Sequence, residues 1–265
     1  MDVIFTDLDG TLLDRDTYSW EAARPALDRL RRRGVPWVLV TSKTRAEVEY
    51  WRRCLGNEHP FIVENGGAAF FPLGYFPFAV IGGKRRGAYE CVEWGTRYEQ
   101  LIADLQRASQ RSQCRVRGFH EMAPEEVAGL CDLPIEQAVL AKQREYDEPF
   151  VILDPDRAGA LASAIEDQGR QWTCGGRFWH ILGENDKAMA VEALAALFKR
   201  GNAPVRTIGL GDALNDASFL NVVSASVLIR SPQVAELRAM VPCGSVTDRP
   251  GPEGWNEAVL ALIGD

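Results

Sequence analysis

The sequence predicts an α/β fold, namely a doubly wound, mainly parallel sheet of Rossmann-like type with an α+β domain inserted into it. Short apolar runs alternate with amphipathic segments in residues 1–65, and the same alternation returns in residues 185–265. The stretch between them lacks that regular order. Because neighbouring parallel strands need helical crossovers, the alternation indicates a parallel sheet whose chain is interrupted by an insertion.

Three strands and two helices are expected in the first part of the chain. Uninterrupted apolar runs predict buried strands at residues 2–6, 35–41 and 61–64. Apolar residues spaced three or four positions apart predict helices at residues 20–33 and 44–54. Gly34 is expected to end the first helix, and Thr41 or Ser42 to cap the second.

The middle of the chain predicts a different kind of domain. The aromatic run at residues 70–78 contains Pro and Gly and is typical of a hairpin, and the glycine-rich segment 82–87 suits a hinge. The elements expected beyond it are helices at residues 97–109, 124–143 and 155–168 and strands at residues 149–153 and 177–182.

Regular alternation resumes in the last third of the chain. The expected elements are helices at residues 185–200, 213–222, 232–240 and 253–263 and strands at residues 205–209 and 225–229. We therefore expect a catalytic core formed by residues 1–82 and 184–265. Residues 83–183 are expected to form an inserted cap domain that determines substrate specificity.

Composition narrows the class of protein. The chain has 37 acidic and 30 basic residues and a net charge of −7, which argues against a nucleic-acid-binding protein. Its six cysteines form no C-x-x-C pair and its three histidines are scattered, so we expect reduced thiols, no zinc site and a cytoplasmic protein. Neither a leader peptide nor an apolar run long enough to span a membrane is visible.

Paired carboxylates follow the first predicted strand. Asp7 and Asp9 are two positions apart, so in extended chain their side chains point the same way. Two carboxylates at such a short distance need a cation between them or a shared proton. One carboxylate can attack phosphorus while the other handles the proton of the leaving group.

Three further pieces fall at strand ends or helix openings. Thr41, with the adjacent Ser42 and Lys43, suits an anion site at a helix N-terminus. Lys187 opens a predicted helix, and residues 209–216 (GLGDALND) follow a predicted strand. Each piece alone also fits a cap, a surface lysine or an acidic turn. Because ligands of such sheets bind beyond the carboxyl ends of the strands, the four pieces are expected to meet there.

The order Asp-x-Asp-Gly-Thr, strand-end Thr, Lys and Gly-Asp-x-x-Asn-Asp resembles the haloacid dehalogenase superfamily. The resemblance implies that Asp7 is the nucleophile and that Asp9 is the general acid and later the base. It further implies that Thr41 and Lys187 hold the phosphoryl oxygens. It also implies a Mg²⁺ ion bound by the Asp7 carboxylate, the Asp9 main-chain carbonyl and Asp212. Asn215 and Asp216 are implied to support that site.

Charged segments of the expected cap suggest a specificity site. Arg144 and Arg177 could bind a substrate carboxylate in a bidentate manner, and Glu145 and Glu148 could accept hydrogen bonds from sugar hydroxyls. The same charge pattern also fits ordinary surface salt bridges. The remaining candidate substrate-binding residues are Ser42, Lys43, Asn65 and His180.

Five segments are similar to the mannosyl-3-phosphoglycerate phosphatase family. They are residues 40–48, 64–68, 144–150, 175–183 and 209–216. The resemblance implies a substrate with a phosphate, a glycerate carboxylate and a hexose, and mannosylglycerate, a compatible solute, as the product. Many relatives have glycine where this chain has Ala188. The resemblance gives no role to Trp179 or to the helix near Cys131. These departures leave the identity of the hexose open.

Other functions share the same core residues. Glucosyl-3-phosphoglycerate, sucrose 6-phosphate or a hexose phosphate could be the substrate, and a phosphosugar mutase would use the same two carboxylates. A non-catalytic phosphosugar-binding module is disfavoured because it would not need Asp7, Asp9, Lys187 and Asp212 together. The expected partner is a small anionic sugar phosphate, with no nucleic acid or membrane, and the expected assembly is a monomer or homodimer.

Overall fold

The computed structural model describes residues 1–175, 178–201 and 204–264. The strands in these ranges are β1 (Asp2–Thr6), β2 (Trp37–Val40), β3 (Phe61–Val63), β4 (Ala68–Pro72), β5 (Lys84–Arg86), β6 (Tyr89–Glu93), β7 (Val116–Gly118), β8 (Asp147–Ile152), β9 (Gln171–Gly175), β10 (Phe178–Leu182), β11 (Arg206–Gly211), β12 (Ala225–Arg230) and β13 (Ser245–Pro250). The helices are α1 (Arg24–Arg33), α2 (Arg45–Leu55), α3 (Tyr98–Ser112), α4 (Pro124–Cys131), α5 (Ile135–Ala141), α6 (Ala158–Glu166), α7 (Lys187–Gly201), α8 (Ala217–Leu220), α9 (Val234–Met240) and α10 (Gly251–Ile263).

A nine-stranded sheet with the order β13-β12-β11-β1-β2-β3-β4-β6-β5 forms the larger layer. Strands β13 to β3 run parallel, and β4, β6 and β5 continue the sheet antiparallel. This confirms the predicted α/β fold with a mainly parallel sheet. The topology switches between β1 and β11, because β2 and β3 follow β1 on one side while β12 and β13 follow β11 on the other, and ligands of such sheets bind at that place.

Side chains of β1 alternate between two cores on opposite faces of this sheet. Ile4 packs in a cluster with residues of α1, α2 and α10, whereas Val3 and Phe5 pack with residues of α7, α8 and α9. Because strands covered on both faces are buried throughout, they read as continuous apolar runs rather than as alternating patterns. This is why β1, β2 and β3 were predictable from the sequence.

A separate four-stranded antiparallel sheet has the order β7-β8-β10-β9. One face packs against α3 and α6 around Phe150 and Ile181. The other face packs against α4 and α5 around Phe119 and Phe178. The inserted α+β layer is therefore present.

The expected domain boundary at residue 83 does not coincide with the division between the two sheets. Strands β5 and β6 lie beyond that boundary, yet β6 pairs with β4 and extends the large sheet. The aromatic run at residues 70–78 correspondingly forms β4 and a loop, not a hairpin. The division into a catalytic core and a specificity cap stays a prediction.

Two helix predictions need correction. The helix expected at residues 124–143 is divided into α4 and α5, because Asp132 takes a left-handed conformation (φ 54°) and Pro134 precedes α5. The N-cap of α2 is Thr44 rather than Thr41 or Ser42, and it forms a capping box with Glu47. Strands β5, β6, β7, β9 and β13 were not predicted, and β5 lies within residues 82–87, which were expected to form a hinge.

Candidate active site

Strands β1 and β11, at the centre of the parallel part of the large sheet, bring their carboxyl ends together. Residue pairing runs from Asp2 with Arg206 to Thr6 with Leu210 along β1 and β11. The Asp7 amide then donates a hydrogen bond of 2.9 Å to the Leu210 carbonyl. Asp7 and Asp212, which lie 205 positions apart in sequence, therefore leave the sheet side by side.

Three buried carboxylates surround one buried ammonium group at this edge. Oxygen atoms of Asp7, Asp212 and Asp216 lie within 4.8 Å of one another. Lys187 Nζ lies 2.9 Å from Asp7 Oδ1 and 2.6 Å from Asp216 Oδ1. Because three carboxylates face one ammonium group, the cluster keeps an excess of negative charge.

The local electrostatics show the consequence of this excess. Burial raises the pKa of Asp7 well above its usual value, and the carboxylates of Asp216 and Asp212 add to the rise against the opposing effect of Lys187. Burial, with Asp216 nearby, raises the pKa of Asp212 to about 7. Burial alone lowers the pKa of Lys187, but the carboxylates of Asp216 and Asp7 reverse that effect and raise it. A divalent cation would offset these penalties.

The hydrogen bonds show which of the three carboxylates have oxygens available to bind a metal ion. Asp216 is saturated, because Oδ1 accepts from Lys187 and Oδ2 accepts from the amides of Asp212 and Ala213 at 3.0 and 3.1 Å. By contrast, Oδ2 of Asp7 and Oδ2 of Asp212 have no hydrogen-bond donor among the described residues. Two unpaired carboxylate oxygens in a buried cluster fit the hard-oxygen preference of a divalent ion such as Mg²⁺.

Gly10 allows this close approach. Its φ is +77°, and a Cβ atom there would lie 2.5 Å from Asp212 Oδ2. Thr11 then donates a hydrogen bond of 3.0 Å to Asp212 Oδ1 and fixes that carboxylate. Gly10 and Thr11 therefore allow the Asp212 carboxylate to approach the motif and hold it in position.

Asp9 is turned away from this cluster. Its Oδ2 lies 2.9 Å from Lys43 Nζ, while its Oδ1 is buried without a hydrogen-bond partner in the described part of the chain. Lys43 is itself buried and also contacts Glu47 at 3.5 Å. The two carboxylates of the motif thus meet different surroundings: Asp7 contacts Lys187, and Asp9 contacts Lys43.

A cavity of about 490 Å³ opens between the large sheet and the inserted layer. Predicted site residues along its wall are Asp7, Asp9, Ser42, Lys43, Arg144, His180, Asp212 and Asn215. Thr41, Lys187, Asp216 and Asn65 do not line this cavity, and Asn65 and Lys187 line a neighbouring pocket. Thr41 is 1% exposed, and its hydroxyl accepts a 3.2 Å hydrogen bond from the Lys43 amide, so it supports the loop rather than lining the cavity.

Buried hydrogen bonds connect the core site with the inserted layer. Asn65 accepts from Asn215 at 3.2 Å and donates to Asp147 at 2.6 Å. Asp147 also accepts from His180 Nδ1 at 2.8 Å and contacts Arg144 at 3.0 Å. Fully buried Asp147 therefore fixes two residues that line the cavity, although the sequence analysis did not select it.

Two predicted sugar-binding residues lie elsewhere. Glu145 forms ion pairs with Arg45 and Arg86 and does not line the cavity. Glu148 follows Asp147 in β8 and therefore points to the opposite face, where it contacts His120 at 2.6 Å and Tyr98 at 2.6 Å. Neither carboxylate is placed to accept a hydrogen bond from a bound sugar.

Arg144 lines the cavity but is already paired. Its side chain is 4% exposed, contacts Asp147 and donates a 3.1 Å hydrogen bond to the Ser42 carbonyl. Arg177 lies outside the described residues. Of the two arginines predicted to bind a substrate carboxylate, the structure therefore describes only Arg144, which already contacts Asp147.

The cavity wall also contains residues that the sequence analysis missed. Arg15 and Tyr18 follow the Asp7–Asp9 motif closely, and this proximity was the available signal. The apolar wall includes Phe119 and Phe178 from the inserted layer. Their apolar character is equally typical of core residues, so no pattern in the sequence distinguishes them as lining residues.

Known phosphatases are similar in sequence to this chain over most of its length. A family model described as haloacid dehalogenase-like hydrolase matches residues 4–72. A glucosyl-3-phosphoglycerate/mannosyl-3-phosphoglycerate phosphatase of Methanococcoides burtonii is 41% identical over 99% of this chain and 97% of its own length. A mannosyl-3-phosphoglycerate phosphatase of Pyrococcus furiosus is 37% identical over 86% of this chain and 90% of its own.

Solved structures share the fold at low sequence identity. A haloacid dehalogenase subclass IIB sugar phosphatase superposes with a TM-score of 0.67 at 16% identity, over 99% of both chains. The sucrose-phosphatase of Synechocystis gives a TM-score of 0.65 at 12% identity, over 98% of this chain and 97% of that one. Among the described residues, none of the helices has both the length and the apolar character of a membrane span.

Proposed function

This chain belongs to the mannosyl-3-phosphoglycerate phosphatase family and is a phosphoric monoester hydrolase of the haloacid dehalogenase type, and from that premise we propose its reaction. The reaction is the Mg²⁺-dependent hydrolysis of mannosyl-3-phosphoglycerate or glucosyl-3-phosphoglycerate. It passes through a phospho-aspartate on Asp7 and yields the glycosylglycerate and phosphate.

The observation that carries this proposal is the position of Asp7. Its Oδ1 contacts Lys187 at 2.9 Å, and its Oδ2 lies in the cavity wall without a described hydrogen-bond donor. A carboxylate that Lys187 holds in a fixed orientation at the wall of the cavity is placed to act as a nucleophile. Phosphoryl transfer depends mainly on such positioning and on charge neutralisation.

In the first step, Asp7 attacks phosphorus and the bond from phosphorus to the glycerate oxygen breaks. Asp9 gives its proton to that leaving oxygen. In the second step, Asp9 takes a proton from a water molecule that attacks phosphorus, which releases phosphate and restores Asp7. The buried, unpaired Oδ1 of Asp9 supports this assignment, because no described donor competes for it.

Asp7 and Asp212 would hold Mg²⁺, with Asp216 and Asn215 in support and the Asp9 carbonyl as a further ligand. When bound, the ion supplies the positive charge that offsets the repulsion between Asp7 and the phosphate dianion. Lys187 keeps Asp7 oriented, since it contacts both Asp7 and Asp216. Thr41 supports the loop of Ser42 and Lys43 that faces the phosphoryl group.

The substrate assignment rests on what relatives at 37–41% identity are named to hydrolyse. The inserted layer is proposed to act as the cap that selects the organic part of the substrate, because Arg144 and His180 reach the cavity from it. A cytoplasmic location is proposed as well, since the described part of the chain contains six cysteines and no disulfide.

A phosphate-release screen tests the proposal. Mannosyl- and glucosyl-3-phosphoglycerate are compared with sucrose 6-phosphate and simple hexose phosphates, with and without Mg²⁺. We expect a kcat/KM for the two phosphoglycerates at least tenfold above the others and no turnover after chelation. A higher kcat/KM for a hexose phosphate would refute the substrate, and return of the phosphoryl group to the sugar would identify a mutase.

A further inference from the structure

Arg15 is an exposed arginine at the mouth of the active cavity. It lies six residues after Asp9 and lines the cavity together with Asp7, Asp9 and Asp212. It is close enough to Asp212 to oppose the rise in the pKa of that carboxylate. A guanidinium that lines the cavity beside these carboxylates is within reach of a ligand bound there.

The other described cations of the cavity wall already have carboxylate partners. Lys43 contacts Asp9 and Glu47, and Arg144 contacts Asp147 with a side chain that is 4% exposed. Nothing in the described part of the chain forms an ion pair or hydrogen bond with Arg15. Its neighbour Asp16 also lines the cavity, but the structure shows no contact between the two side chains.

The loop that carries Arg15 is held in place. The Asp14 carboxylate accepts hydrogen bonds from the amide of Asp16 at 3.2 Å and from the amide and hydroxyl of Thr17 at 2.8 and 2.7 Å. Tyr18 stacks on Trp51 with ring centroids 6.2 Å apart. The loop is therefore positioned without using the Arg15 guanidinium, which leaves that group for a ligand.

We propose that Arg15 determines specificity by binding the carboxylate of the substrate's glycerate moiety. The inference rests on the proposed function, since it assumes a substrate that carries both a phosphate and a carboxylate. It assigns to Arg15 the role that the sequence suggested for Arg144 and Arg177, of which Arg144 already contacts Asp147. The planar guanidinium can bind a carboxylate through two parallel hydrogen bonds, which a lysine cannot reproduce.

Two substrates and three variants test the assignment. The substrates are glucosyl-3-phosphoglycerate and the same ester with a hydroxymethyl group in place of the carboxylate. The variants are Arg15→Ala, Arg15→Lys and the control Arg85→Ala, which removes an exposed charge on β5 away from the cavity. Initial rates of phosphate release give KM and kcat for each pair.

Arg15→Ala is expected to lower kcat/KM for the carboxylate substrate about 10- to 100-fold, mainly through KM, as loss of a charge-assisted hydrogen bond predicts. The loss on the hydroxymethyl ester should be at least about tenfold smaller. Arg15→Lys should fall between Arg15→Ala and the unaltered protein, and Arg85→Ala should match the unaltered protein on both esters.

The outcomes separate the two proposals. If the unaltered protein prefers the carboxylate ester and Arg15→Ala keeps that preference, the assignment of Arg15 is overturned while the proposed function stands. If the unaltered protein shows no such preference, both are overturned. Equal losses of Arg15→Ala on the two esters would assign Arg15 to the phosphate and also contradict the inference.

Discussion

Charged side chains are arranged in opposite ways in the core site and in the inserted layer. In the core, the carboxylates of Asp7, Asp212 and Asp216 face the ammonium group of Lys187, and two of their oxygens have no partner among the residues that the structure describes. In the inserted layer and at its edge, the acids of β8 and of the preceding loop are paired with arginine, histidine or tyrosine groups. The core site keeps an excess of negative charge when no ligand is bound, whereas the acids of the inserted layer have partners within the protein.

The difference separates charges that are available for chemistry from charges that hold the structure. A buried like-charge cluster is costly in the empty protein and becomes favourable when a cation or substrate enters. Glu148, by contrast, is fully buried and hydrogen-bonded on both oxygens, so a ligand gains nothing from it. Variants in the two regions should therefore affect different measurements.

The largest effect is expected for Asp7→Asn in the core. Turnover should fall by at least about three orders of magnitude, because an amide cannot form the phosphorylated intermediate. Without divalent ions, its thermal unfolding midpoint should equal or exceed that of the unaltered protein, since one of three like charges is removed. Asp248→Asn, on an exposed residue, is the matched control and should change neither quantity. Substantial turnover by Asp7→Asn would exclude the proposed nucleophile.

Asp9→Asn should give the second largest effect, and its size should depend on the leaving group. Loss of a general acid lowers kcat by about 100- to 10,000-fold for a sugar ester, whose alkoxide leaves poorly without a proton. For an aryl phosphate with an acidic phenol the first step should lose far less. Rapid-quench measurement of the first phenol release isolates that step. Equal losses on both esters would show that Asp9 does not act as the acid.

The core site was more predictable from the sequence than the cap because of how each is built. Asp7 and Asp212 follow apolar strands that pair in parallel, so a linear motif and the topology together place them side by side. The face of a short cap strand depends on register. Glu148 and Pro149 are adjacent in β8, yet Pro149 lines the cavity and Glu148 lies on the opposite face.

Short elements limited the fold prediction in the same way. Strand β7 has three residues (VRG) and strand β9 has five (QWTCG), so neither offers a sustained apolar pattern. Strand β13 (SVTDRP) contains Asp248, Arg249 and Pro250, and its partner β12 decides its conformation rather than local propensity. Tertiary pairing, not the local sequence, fixes these elements.

A pair of cap variants would sharpen the contrast between binding and structure. Glu148→Gln should lower the free energy of unfolding by about 1–3 kcal/mol, because it weakens two buried hydrogen bonds, to His120 and Tyr98. Glu145→Gln should cost under about 1 kcal/mol, since its ion pairs are partly exposed. Both variants should keep KM within about threefold. Urea titration and steady-state rates give these values; a tenfold rise in KM for Glu148→Gln would restore its predicted role in sugar binding.

The smallest effects concern two histidines whose pKa values move in opposite directions. In the core, burial lowers the pKa of His59 to about 4, and nearby Arg52 adds to this. The unfolded chain then binds the additional proton between pH 6.5 and about 4, so this contribution to stability is lost as the pH falls. In the cap, the hydrogen bond to Glu148 raises the pKa of His120, so its contribution is lost as the pH rises above 6.5.

Urea unfolding at several pH values between 4.5 and 7.5 tests this opposition. His59→Gln should remove up to about 1 kcal/mol per pH unit of acid sensitivity, because the variant no longer takes up that proton on unfolding. His120→Gln should do the reverse and lose more stability at pH 5.5 than at pH 7.5, since the charged imidazole is the form that Glu148 stabilises. If both variants changed the pH dependence in the same direction, the two regions would not differ in the way that their charge partners indicate.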